Sequence, residues 1–214
     1  MDVRMFTVGP VAENCFVLRD DGADRGLMVD PGEEADKLLH AVDELGIELE
    51  AILLTHTHFD HIGAVAPVAR ATGAPVYCPE LETQVLADIM SYVPWPGFGP
   101  FESYEADHTV KGGERLELAG LEIDVIFTPG HSPGHVSYSV PAHEALFSGD
   151  VLFQGSVGRT DLPGGDWSTL AQSIAGLVDV LPEQTKVFPG HMGLTTLGAE
   201  RATNPFLREL PARR

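Results

Sequence analysis

The chain has 214 residues, 43% of them hydrophobic, with 32 acidic against 13 basic residues and a net charge of −19. That length supports one full core and falls short of two ordinary domains, so residues 1–214 are expected to form one domain. Nucleic acid and anionic membranes are disfavoured as partners, because both recruit proteins through basic clusters and the lysines are only Lys37, Lys111 and Lys186.

Residues 3–8, 14–19 and 26–30 read as short strands, broken at Gly9-Pro10 and at Asp20-Asp21-Gly22. Residues 34–45 carry apolar side chains at Ala35, Leu38, Leu39, Val42 and Leu45, a helical period that Gly46 ends. A strand at 51–54, a helix at 62–72, a strand at 76–78 and a helix at 81–91 follow. Residues 92–104 hold Pro94, Pro96 and Pro100 among Trp95, Phe98 and Phe101. Such a segment is no regular helix or central strand; it is a loop pinned by aromatics or a lid. Strands resume at 115–118, 121–127, 136–140 and 144–153. A helix at 168–181, a strand at 186–188 and a helix at 197–210, interrupted at Pro205, complete the chain. Strands in two groups, interleaved with helices, predict two sheets covered by helices.

No apolar run approaches the ~20 residues that span a bilayer. Met1-Asp2-Val3-Arg4-Met5 lacks the regions of a secretion signal, so a cytoplasmic location is expected. Cys15 and Cys78 form no CxxC pair and lie in apolar runs, as core thiols do.

Four strand-like runs end on metal-type ligands. Residues 51–54 run into Thr55-His56-Thr57-His58-Phe59-Asp60-His61, and residues 123–127 into Thr128-Pro129-Gly130-His131. Residues 144–147 run into Ser148-Gly149-Asp150, and residues 186–188 into Pro189-Gly190-His191. Imidazole nitrogen and carboxylate oxygen suit zinc, iron and manganese. In an extended stretch His56 and His58 share one side. A tight turn would aim that pair at one metal and Asp60 with His61 at its neighbour. Gly130, Gly149 and Gly190 let the backbone bend beside each ligand. His135 reads either as a group behind a ligand or as a substrate contact. His40, His108 and His143 read as surface or core histidines. The repeated Pro-Gly-His hints at two related halves.

The His56-to-His61 motif, followed in order by His131, Asp150 and His191, resembles the signature of the metallo-β-lactamase superfamily. The fold this implies is α/β: a four-layer αβ/βα sandwich, two mixed sheets covered by helices, with metals at one edge. Gly149-Asp150, Gly158-Arg159-Thr160-Asp161 and the tail Thr195-Thr196-Leu197-Gly198-x-Glu200-Arg201-x-x-Asn204-Pro205-Phe206 resemble small glyoxalase II-like (hydroxyacylglutathione hydrolase-like) enzymes. The resemblance implies two divalent ions, zinc foremost, with iron or manganese open. His56, His58 and His131 would take one ion, and Asp60, His61 and His191 the other. Asp150 would bridge them, and Asp30 would orient a ligating imidazole. The implied reaction is hydrolysis of a small-molecule thioester by a hydroxide shared between the ions, with Asp60 and Asp150 central to catalysis.

Glyoxalase II proper carries a C-terminal helical domain whose basic residues hold glutathione, and no such separate domain is expected within residues 1–214. Met192-Gly193 follows His191 where relatives carry Gly-Pro. The acyl group and carrier thiol therefore stay open. Arg159 would bind a substrate carboxylate or would pair with Asp161 to shape its loop. Tyr92, Trp95 and Phe98 would wall the pocket.

The runner-up is a persulfide dioxygenase of the same superfamily, with one iron on His56, His131 and Asp150. β-Lactamases commonly place Cys where Asp150 stands, and the charge disfavours an RNA-processing nuclease. A metal-binding protein without catalysis is the reading from another class.

Overall fold

A computed structural model describes residues 1–93 and 95–209. Two six-stranded sheets dominate it. The first holds β1 (Asp2–Val8), β2 (Glu13–Arg19), β3 (Arg25–Val29), β4 (Glu48–Leu53), β5 (Val76–Pro79) and β6 (His108–Val110), in that spatial order. The second is built from β7 (Arg115–Leu118), β8 (Leu121–Phe127), β9 (Val136–Val140) and β10 (Ala145–Gly149). A two-stranded ribbon of β11 (Leu152–Phe153) and β12 (Ser156–Val157) interrupts it before β13 (Lys186–Pro189) and β14 (Thr195–Thr196) join, giving the order β14-β13-β10-β9-β8-β7. Both sheets are mixed: β3 through β6 pair in parallel after an antiparallel β1-β2-β3 start, and β10 pairs in parallel with β13 only.

Strand alternation explains the layering. On β2, Phe16 and Leu18 face the second sheet, while Cys15 and Val17 face the opposite way. On β10, Phe147 and Ala145 point between the sheets and Leu146 points out. Strands buried on both faces need cover on both. Helices α1 (Ala35–Leu45) and α3 (Val65–Thr72) cover the first sheet through Leu38, Val42, Val65 and Val68. Helices α5 (Trp167–Val180) and α6 (Leu197–Thr203) cover the second through Leu170, Ile174, Leu177 and Leu197. Short helices α2 (Phe59–Ile62) and α4 (Thr83–Ala87) lie near the rim. The result is the helix–sheet–sheet–helix order of the four-layer sandwich. No helix among the described residues is long and apolar enough to cross a membrane. Cys15 and Cys78 are buried free thiols.

Several boundaries differ from those read in the sequence. The helix expected at 81–91 is three short pieces, because Asp88 leaves the helical region at φ −146° and ψ 53°. The run at 144–153 breaks at Gly149, where φ is +49°, and turns through Asp150 before β11. β6, β12 and β14 have three residues or two and are too short to show a period. α6 stops at Thr203, and Pro205 opens a separate 3-10 turn. Pro94 and Leu210, part of the expected 92–104 segment and last helix, lie outside the described residues. The two Pro-Gly-His copies both end strands of the second sheet, β8 and β13, so they mark one edge rather than two halves.

Tyr138 ties the sheets together where this matters. It is fully buried on β9, and its hydroxyl donates to the Leu54 carbonyl at 2.8 Å, just past the end of β4. Tyr138→Phe leaves that carbonyl without its donor and should cost about 1–3 kcal/mol in denaturant unfolding. An unchanged midpoint would show that the bond contributes nothing.

Candidate metal centre

Five strands deliver side chains to one rim. β3 and β4 are parallel, and so are β8, β10 and β13, since β8 and β10 both run antiparallel to β9. Their C-terminal ends carry Asp30, the His56–His61 turn, His131, Asp150 and His191.

Two donor groups form there. In the first, His58 Nδ1 lies 3.1 Å from His56 Nε2 and 2.8 Å from His131 Nε2. In the second, His191 Nε2 lies 3.3 Å from Asp60 Oδ2, and His61 Nε2 lies 3.9 Å from the same oxygen. Asp150 faces both: Oδ2 is 3.4 Å from His131 and 3.5 Å from His191, while Oδ1 is 3.4 Å from His61. Each triad keeps its donor atoms within 4.8 Å of one another. His61 Nε2 and Asp150 Oδ1 are buried without a hydrogen-bond partner. Orphaned atoms of that kind are costly unless something else satisfies them. A borderline, oxygen- and nitrogen-loving divalent cation between these lone pairs fits the donor set.

The far sides of the His56, His61, His131 and His191 rings are also held. Asp30 Oδ2 accepts from His61 Nδ1 at 3.1 Å and from Thr55 Oγ1 at 2.6 Å. Thr55 Oγ1 in turn lies 3.1 Å from His56 Nδ1 and accepts from it. One carboxylate thereby fixes two imidazoles with their Nε2 atoms aimed inward. Asp30 does so at φ +50°, a left-handed conformation costing about 1 kcal/mol. A third cluster of Asp30, His56 and His61 is also compact, but these hydrogen bonds already occupy Asp30. His131 Nδ1 donates to the Arg159 carbonyl at 2.8 Å, and His191 Nδ1 to Ala12 at 3.3 Å.

His135 is fully buried and does not line the cavity above the donors. Its Nδ1 lies 2.9 Å from Thr128 Oγ1, and its Nε2 accepts from the Asp150 backbone N–H at 3.1 Å. Of its two expected roles, it therefore holds the Asp150 turn. Gly149 and Gly190 act differently from each other. A Cβ on Gly149 would lie 2.5 Å from Thr55 Oγ1, on a backbone with positive φ. A Cβ on Gly190 would collide with Asp150 Oδ1, so that glycine serves close approach.

Tyr92, Trp95 and Arg159 line a cavity of about 560 Å³ above the donors. Phe98 does not line it; its ring packs 4.7 Å from Phe59, whose ring also meets Trp95 and Phe101. Phe59 lies between His58 and Asp60, so this apolar cluster draws Phe98 inward and steadies the ligand turn. Arg159 pairs with Asp161 through two bonds of 2.7 and 2.8 Å, and its guanidinium lies 5.8 Å from the Trp95 ring.

Three functional contacts were not read from the sequence. Glu82, buried just past β5, accepts from Thr57 N at 2.7 Å, Thr57 Oγ1 at 3.0 Å, Gly134 N at 2.9 Å and Ser132 Oγ. It thus clamps the turn bearing His56 and His58 to the loop bearing His131. It follows another parallel strand of the same edge, a pairing of β5 with β4 that only the fold reveals. Glu13 opens β2, buried 3.8 Å from His61 Nδ1 with neither oxygen hydrogen-bonded, and burial pushes its pKa up. The tail motif has a structural use. Glu200 accepts from Thr195 Oγ1, Gly155 N and Asn204 Nδ2, and Asn204 reaches the Ser156 carbonyl at 3.0 Å. These bonds brace the β11–β12 ribbon, whose Phe153, Ser156 and Val157 line the cavity.

Charge separates the imidazoles. Burial, with neighbouring His61, drives His56 well below its usual pKa, and burial with His131 takes His58 down to about 4. His61 goes the other way: burial opposes its charge, but Asp150, Asp30 and Asp60 outweigh it. His191 is raised similarly, by Asp60 above all, against its burial. Burial opposes the Asp150 charge too, yet His61, His131 and His191 hold its carboxyl far below the usual range.

Residues 8–191 match the family model of the metallo-beta-lactamase superfamily. The chain is 42% identical over 212 residues to the probable metallo-hydrolase YqgX of Bacillus subtilis, spanning 97% of this chain and 98% of that protein. It is 33% identical over 209 residues to the hydroxyacylglutathione hydrolase GloC of Haemophilus influenzae, spanning 97% and 98%. Among solved structures, BLEG-1, described as a B3 metallo-beta-lactamase, superposes with a TM-score of 0.91 at 41% identity, over 96% of this chain and 99% of that one. TTHA1623 in a di-iron-bound form gives 0.83 at 40% identity, over 95% and 100%.

Two outcomes are expected from this geometry. Glu82→Gln should weaken metal binding at the three-histidine group by about 10–100-fold, since it alters a group that orients the ligand loops, as read by chelator competition. Equal affinity in the variant would remove Glu82 from that role. Because His61 keeps its proton above the usual imidazole pKa, an entering cation must displace it. Metal affinity should therefore rise from pH 6 to pH 8, with protons released into weak buffer on loading; a flat profile would contradict this.

Proposed function

The chain belongs to the metallo-β-lactamase superfamily, and from that premise we propose that it hydrolyses small-molecule thioesters at a two-metal centre. The observation that carries the reading is Asp150, one carboxylate aimed at both donor groups. In the proposed assignment His56, His58 and His131 hold one ion, Asp60, His61 and His191 the other, and Asp150 lies between. Zinc, iron and manganese all suit these donors.

Two divalent ions bound there would supply a water acidified toward pKa ~7 and a Lewis acid for the acyl oxygen. The chain's own residues do the rest. Asp30 and Thr55 keep His56 and His61 oriented, and His135 keeps the Asp150 turn in place. The apolar walls keep bulk water from the acyl group. Water adds to the acyl carbon, the C–S bond breaks, and a carboxylic acid and a thiol leave. A thiol of pKa ~8.5 departs readily as thiolate, so no separate general acid is needed. Among the described residues lining the cavity, the one acid besides the donors is Glu82, which is committed to hydrogen bonds.

The likeness to a hydroxyacylglutathione hydrolase supports the thioester reading. The likeness to a protein described as a B3 metallo-beta-lactamase favours a second one, β-lactam hydrolysis. The mononuclear dioxygenase is less well supported, because it leaves His58, Asp60, His61 and His191 without a task.

Metal-loaded protein should release thiol from a panel of acyl thioesters faster than it opens a chromogenic β-lactam, and Asp150→Ala should lose at least about 100-fold in kcat/KM. Dominant lactam turnover would favour the second reading. Oxygen uptake with a persulfide would favour the dioxygenase.

A further inference from the structure

The cavity above the donors is built from two chemically unlike ends. Its floor is His58, Asp60, Asp150 and His191. Toward solvent it is bounded by Leu81, Tyr92, Trp95 and Met192, which are 66%, 48%, 41% and 54% exposed. Large apolar side chains left in the open around one cavity mark a ligand surface. The volume of about 560 Å³ is that of a small-molecule site.

Positive charge is scarce at this outer end. Arg159 is the one Arg or Lys among the described lining residues. Its Nε–Nη2 edge donates to Asp161, and its face is turned to Trp95. A ligand carboxylate entering here must share that guanidinium with the Asp161 carboxylate already paired to it. It must also approach a chain of net charge −19, which repels anions at long range.

We infer that this site selects thioesters whose thiol half is an uncharged apolar group and discriminates against anionic thiol carriers. This rests on the thioester-hydrolase reading. The acyl carbonyl has to reach the floor, where the donors are. The thiol half then spans the outer walls, where it meets Leu81, Trp95 and Met192 and no unpaired cation.

The test uses the metal-loaded full chain and two thioesters with one acyl group, one of benzyl mercaptan and one of mercaptosuccinate. Their kcat/KM values are compared, and matched non-hydrolysable thioethers are compared by calorimetric Kd. The benzyl member should be favoured by about tenfold or more in both, the scale on which apolar pockets discriminate. Leu81→Arg, at an exposed position, should narrow the gap, and so should added salt, which screens the repulsion. A mercaptosuccinate thioether that binds as tightly as the benzyl one, or more tightly, would overturn the inference whatever the turnover. If neither ester is cleaved while the benzyl thioether still binds more tightly, the hydrolase reading fails and the apolar selectivity stands.

Discussion

A buried carboxylate facing three imidazoles is the constraint on which this molecule is built. Asp150 is nearly inaccessible, and its charge is held by His61, His131 and His191. Taking such a charge out of water is expensive without compensation. Compensation comes from three places far apart in sequence, just past the ends of β4, β8 and β13. Two stacked sheets with parallel strands running to one edge bring those points to the turn after β10.

The second ring of contacts matters as much as the donors. Asp30 through Thr55, the Arg159 and Ala12 carbonyls and His135 each fix one group of the rim. Glu82 locks two ligand loops to each other. Most of these contacts run between segments dozens of residues apart. A site so braced is pre-organised, and little reorganisation is required when cations and substrate arrive.

The donors were legible in the sequence because His56, His58, Asp60 and His61 crowd into six residues and His131, Asp150 and His191 each end a strand beside a glycine. The layers were legible because β2, β4 and β10 are apolar on both faces. Glu82 was not, since an isolated acid in a short helical stretch reads as solvated surface until β5 is known to run parallel to β4. Arg159 shows the same limit from another side. Its pairing with Asp161 could be read locally, whereas its carbonyl on His131 is a backbone contact that side-chain chemistry does not announce. Phe98 was misplaced because the pull of the Phe59 cluster depends on where the chain folds back. The splitting of residues 81–91 follows from one non-helical residue, Asp88, which no hydrophobic period reveals.

The most direct test of the account is anomalous scattering from crystals of the metal-loaded protein, combined with metal content per chain. The account predicts two ions per chain, one among His56, His58 and His131, the other among Asp60, His61 and His191, with Asp150 in contact with both. One ion per chain, coordinated by His56, His131 and Asp150 with Asp60 and His61 unligated, would contradict it.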